Sequence, residues 1–98
     1  MNIRILPIAN DDLLNGYHFY EQQEKGIGSY FLDSLFSDID SLLVYHGVHS
    51  VFCNKYYRLL SKRFPFAIYY TVENEDIIIY AVLDCRKEPA WIKGRFEE

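Results

Sequence analysis

Apolar residues recur along this chain with two periods. Between residues 10 and 46 they fall three and four apart. Leu13, Leu14, Tyr17 and Tyr20 come first, with Phe19 beside them; Leu32, Leu35, Phe36, Ile39, Leu42 and Leu43 follow. This spacing predicts two helices with one apolar stripe each, and leaves Asn15, Glu21, Glu24, Asp33 and Ser37 largely off the stripes. The first helix is expected to start at Asn10 or Asp11, whose side chains can cap orphan amides at the positive end of the helix dipole. Gly26-Ile27-Gly28 ends it, and the second runs from about Ser29 to His46 with Gly47 as its stop. After residue 56 the pattern changes. Residues 66–72 and 77–83 are dense in β-branched and aromatic side chains and predict two strands. The polar Glu73-Asn74-Glu75-Asp76 between them suits a hairpin loop. Residues 57–62 precede them as the third strand of a meander, closed by the Arg63-Phe64-Pro65 corner, since proline has no N–H for a ladder. A short strand at residues 2–8 carries Ile3, Ile5 and Leu6 and stops at or just after Pro7. Residues 48–54 read as irregular. The tail from residue 87 is expected to lay Trp91 and Ile92 on the sheet edge or over a groove. The order β-α-α-β-β-β predicts a two-layer α+β fold, with a helix hairpin covering the apolar face of a sheet.

Composition narrows this picture. Ninety-eight residues, half of them hydrophobic and 17% aromatic, argue for a packed core and one domain spanning 1–98. No apolar run approaches the roughly 20 residues of a membrane span. No signal-peptide pattern opens the chain, and two cysteines are too few for a disulfide framework, so a cytoplasmic chain with reduced thiols is expected. The net charge of −4 is unevenly spread: residues 1–50 hold two basic against seven acidic side chains, and residues 51–98 eight against seven. Lys55, Arg58, Lys62 and Arg63 follow one another with no acid between them. One sheet corner is therefore expected to be basic, a modest field for holding nucleic acid unaided.

Three segments carry a resemblance. Gly26-Ile27-Gly28-Ser29-Tyr30-Phe31-Leu32-Asp33-Ser34-Leu35, with Tyr20-Glu21 upstream, resembles the helix–helix passage of RelE/ParE-family toxins of bacterial type II toxin–antitoxin systems. Arg63-Phe64-Pro65-Phe66-Ala67-Ile68-Tyr69-Tyr70 is similar to their arginine-phenylalanine-proline-aromatic strand. Val82-Leu83-Asp84-Cys85-Arg86-Lys87-Glu88-Pro89 is similar to their last strand with its basic pair and proline. The resemblance implies a mainly antiparallel four-stranded sheet in the order 1-4-3-2. It also implies a toxin that inhibits growth through DNA gyrase or through the ribosome and mRNA, as in plasmid stabilisation, and an oligomer formed with a neutralising antitoxin. No cofactor, metal or membrane partner is implied.

The chemistry weighs on the choice of target. Metal-free RNA cleavage by 2′-OH attack needs a base, an acid for the leaving oxygen and cations for the phosphate. Lys55, Arg58, Lys62, Arg63, Arg86 and Lys87 are the candidate target- or phosphate-binding residues, with Arg63 and Arg86 the catalytic candidates. Proton donors are scarcer. Many relatives carry histidine shortly before the basic pair, where this chain has Asp84; ribosome-dependent nucleases end with a tyrosine, where it has Trp91. Indole does not exchange a proton near neutral pH. Asp84 and Glu88 would need raised pKa values to serve as bases. Binding gyrase needs no catalytic residue, and the net acidity is compatible with it. An alternative is a non-toxic module that retains the fold and antitoxin binding and acts only in autoregulation. Each residue also has a plainer reading. The basic run suits a solvated strand face, Arg86 and Lys87 suit surface ion pairs, and Tyr56, Tyr57, Tyr69, Tyr70 and Tyr80 suit core or cross-strand packing.

Overall fold

The computed structural model describes residues 1–97. In chain order the elements are β1 (Asn2–Ile5), α1 (Pro7–Gln23), α2 (Ile27–Asp40), α3 (Leu42–Tyr45), β2 (Ser50–Phe52), β3 (Tyr56–Leu60), β4 (Phe66–Glu73), β5 (Asp76–Asp84) and α4 (Pro89–Gly94). The strands form one sheet in the order β1-β5-β4-β3-β2, with β1 parallel to β5 and the remaining pairs antiparallel. The α+β class is therefore as expected, and the order of the four foreseen strands is kept. The count is not: a fifth strand, β2, stands at the edge beyond β3, in the stretch read as irregular. It forms because Cys53 and Asn54 both take left-handed backbone (φ 53° and 57°) and turn the chain, with the Lys55 N–H donating to the Phe52 carbonyl at 3.2 Å. A cysteine in that conformation gives no turn signal.

Helix boundaries also move. α1 begins at Pro7, not at Asn10, because proline suits the first helical position, where its missing N–H leaves nothing unbonded. The expected second helix is divided by Ser41 into α2 and α3, although the Tyr45 N–H still reaches the Ser41 carbonyl at 2.9 Å. The helical run ends at Gly47, whose φ of 87° is the left-handed stop its glycine predicts. Glu21, which lies off the apolar stripe, holds the helix corner. Its carboxylate accepts from the Gly26 N–H (3.1 Å) and the Gly28 N–H (3.0 Å), placing negative charge at the positive end of α2. The two helices cross closely at glycines. A Cβ on Gly16 would fall 2.6 Å from Phe31 Cε2, and one on Gly28 would fall 2.7 Å from the Tyr17 carbonyl oxygen.

The sheet is buried on both faces, where one was expected. On the helix side Leu13, Phe31, Leu35 and Ile39 meet Phe66, Ile68, Tyr70, Ile77, Ile79 and Val82. On the other side Ala67, Tyr69, Ala81 and Leu83 are covered by Ile92 of α4, with Phe52 and Phe96 packed against them. The near-continuous apolar runs of β4 and β5 are what a strand covered on both faces requires. A register shift lets this work: Tyr69 pairs with Ala81 but Tyr70 pairs with Ile79. The extra residue, Tyr80, puts Ile79 and Val82 on one face although they are three apart. Among the described residues no helix is long and apolar enough to cross a membrane.

Candidate target-binding site

The site is built where β5 runs out. Phe66 at the start of β4 pairs with Asp84 at the end of β5, so the Arg63-Phe64-Pro65 corner and Arg86 meet at one end of the sheet. The corner is held by the Cys85 N–H donating to the Pro65 carbonyl at 2.8 Å. Phe64 packs its ring edge-on against Tyr20 and Phe31, with centroids 4.9 and 5.1 Å apart. The corner is thereby locked onto the helix layer while Lys62 and Arg63 stay exposed beside it.

Arg86 is not free. Its Nε and Nη2 donate to the two oxygens of Asp84 at 2.9 and 2.7 Å, and its backbone N–H donates to the same carboxylate at 2.8 Å. Nη2 also lies 3.5 Å from the Tyr20 hydroxyl. The guanidinium holds the Asp84 carboxyl below the usual carboxylate range, chiefly by that hydrogen bond, and Asp84 in turn pushes the Arg86 pKa up. Asp84 therefore moves away from what a general base at neutral pH requires. Tyr20, which the sequence offered as an apolar-stripe and motif residue, brings its hydroxyl to the guanidinium. Burial raises its pKa, so it keeps its proton.

Arg58 reaches the same end from the opposite face. Paired with Tyr69 across the β3–β4 ladder, it lies on the α4 side, with Nη2 4.0 Å from Cys85 Sγ. Its Nε is buried without a hydrogen-bond partner, and among the described residues it has no carboxylate. The remaining candidates do not converge. Lys55 precedes β3 at its far end, with Nζ 5.4 Å over the Tyr56 ring, and Lys87 lies 5.4 Å over Trp91. The basic run of the sequence is thus split, because five residues of extended strand carry Lys55 and Lys62 to opposite ends of β3. Tyr69 and Tyr70 are buried and offer no stacking face. Two histidines are engaged elsewhere: His46 Nδ1 meets the Leu42 carbonyl, and His49 Nδ1 the Tyr70 hydroxyl.

A second Asp–Arg pair escaped the sequence reading. Arg95 forks onto Asp12 at 2.8 and 2.9 Å, and Asp12 Oδ2 also accepts the Val82 N–H at 3.1 Å. The partners are 83 residues apart, and no local pattern announces such a contact.

Fold and site together define an α+β protein with a helix hairpin on one sheet face, the short α4 on the other, and a cationic end where the last strand stops. No family model matches the sequence, and no curated protein matches it. Among solved structures the chain is similar to one of the "Chromosomal ParDE TA system from P. aeruginosa", with a TM-score of 0.77 and 17% sequence identity. The match covers 84% of this chain and 92% of that one, and the likeness is one of fold.

Proposed function

We propose that residues 1–98 form a single RelE/ParE-like toxin domain of a type II toxin–antitoxin module. It inhibits growth through a gyrase-type or a ribosome/mRNA-type target and is neutralised by a cognate antitoxin. The fold shared with a chain of a ParDE system carries this reading, and the three sequence motifs add to it. The antitoxin supplies a segment that is disordered when free and orders along the helices and sheet edge.

Between the targets, the site favours inhibition by binding over cleavage. The bidentate Asp84–Arg86 pair supports this: it occupies the guanidinium face a phosphate would use, and it lowers the pKa of the carboxylate standing where relatives carry histidine. Expression in a bacterial host tests the reading. Growth arrest relieved by the adjacent open reading frame is the expected result. Trapped DNA breaks then indicate gyrase and cleaved transcripts indicate mRNA, while unimpaired growth favours the non-toxic autoregulatory module. Arg86→Ala should lower toxicity without unfolding the chain; unaltered toxicity, with the protein folded, removes Arg86 from the site.

A further inference from the structure

β1 pairs with β5 only from Asp76 to Ile79, so the second half of β5 has no strand on that side. There a cleft of about 300 Å³ opens between α1, β5 and α4. Its polar floor is closed by the Asp12 carboxylate, which takes the Val82 N–H and both Arg95 donors. Its walls include two aromatic rings left half exposed, Phe19 at 49% and Trp91 at 46%. The charges lining it are nearly all spent: Asp12 on Arg95 and Asp84 on Arg86. Lys87 is the exception, exposed at the rim with no carboxylate partner among the described residues. The Val82 carbonyl points to the same edge as its N–H, as both groups of a strand residue do, and no strand pairs with it there.

We propose that this cleft docks a segment of a partner protein that inserts one aromatic side chain between Phe19 and Trp91 and presents a carboxylate to Lys87. An exposed aromatic pair around a pocket of this size is the usual setting for a single anchoring side chain. The one unpaired cation selects an acidic flank. The free Val82 carbonyl offers an acceptor to a backbone N–H, which favours a peptide over a small aromatic acid. The cleft borders the Arg86–Asp84 pair, since Asp84 belongs to its lining, but the proposal does not use that bond and stands whether or not the chain is toxic.

Trp91 is the only tryptophan, so its emission reports on the cleft directly. The probe is an acetylated, amidated pentapeptide with one phenylalanine flanked by glutamates; a lysine-flanked counterpart and 3-phenylpropionate are the comparisons. The acidic peptide should give a saturable change in emission, at least tenfold tighter than the lysine peptide and tighter than 3-phenylpropionate. Lys87→Glu should reverse the preference between the peptides, and Phe19→Ala should weaken both, each with an unchanged circular-dichroism spectrum. Equal binding of the two peptides, no saturable change into the millimolar range, or indifference to Lys87→Glu would overturn the proposal. So would 3-phenylpropionate binding as tightly as the acidic peptide.

Discussion

β5 is flanked by two Asp–Arg pairs that share a geometry and differ in almost everything else. Asp12 and Arg95 are 9% and 20% exposed, join the first helix to the last, and hold a strand N–H that would otherwise be orphaned. Asp84 and Arg86 are 19% and 57% exposed and lie two residues apart, and their one distant contact is a long one, 3.5 Å from Arg86 Nη2 to the Tyr20 hydroxyl. A bidentate fork is equally strong chemistry in both places, but the surroundings decide its consequence. Removing one partner of a buried pair strands a charge away from water, whereas water replaces the missing partner of an exposed one. The first pair therefore reads as a fastening for α4, and the second as a brake on Arg86.

The largest effect is expected at the fastening. Asp12→Ala leaves the Arg95 guanidinium and the Val82 N–H without an acceptor and should cost about 3 kcal/mol or more, read from urea unfolding. Hydrogen exchange in α4 should accelerate with it, since Arg95 is the polar tie holding that helix down. A smaller but more discriminating number comes from double-mutant cycles. Coupling between Asp12 and Arg95 should be on the order of 2 kcal/mol, and that between Asp84 and Arg86 should stay below about 1 kcal/mol. Equal couplings would remove the distinction between fastening and brake.

The brake is tested by function. Asp84→Asn should leave the melting temperature nearly unchanged while tightening the binding of short RNA oligonucleotides severalfold, because the guanidinium face is released. Filter binding at two salt concentrations separates a gain at Arg86 from a general change in charge. Unaltered affinity would mean that Arg86 does not meet phosphate even when freed.

These two pairs also mark how far the sequence could be read. The helices, the meander and the order of four strands follow from local periodicity, and local signals suffice for them: Gly47 does stop the helical run, and the residues between Glu73 and Asp76 do turn the hairpin. β2 was missed because its turn is made by Cys53-Asn54, a pair with no glycine or proline to announce it. Burial of the sheet's second face was missed because a six-residue helix and Phe96 supply it from a tail that has no strong period of its own. Within the site, Arg86 was foreseen and its partner was not. In sequence Asp84 stands where relatives carry histidine, and nothing local announces that its carboxylate folds back onto a neighbour two residues away. Lys55 was grouped with Arg58 by proximity in the chain, and an extended strand undoes that grouping.

A third polar contact, His49 with Tyr70, supplies the smallest and sharpest case. The Tyr70 hydroxyl accepts the Gly47 N–H at 3.0 Å and meets His49 Nδ1, an arrangement in which the neutral ring can take the hydroxyl proton at Nδ1. Burial lowers the His49 pKa below its ordinary 6.5. The unfolded chain therefore binds a proton at higher pH than the folded one, and stability from this group is complete above 6.5 and falls as the pH drops toward the folded value. Thermal unfolding between pH 7.5 and 5.5 should show the melting temperature declining with acid, and His49→Phe should flatten that slope while keeping a ring against Tyr70. A slope that survives the substitution would assign the acid sensitivity to another group, and the contact would then join Asp84–Arg86 as one whose loss the fold does not feel.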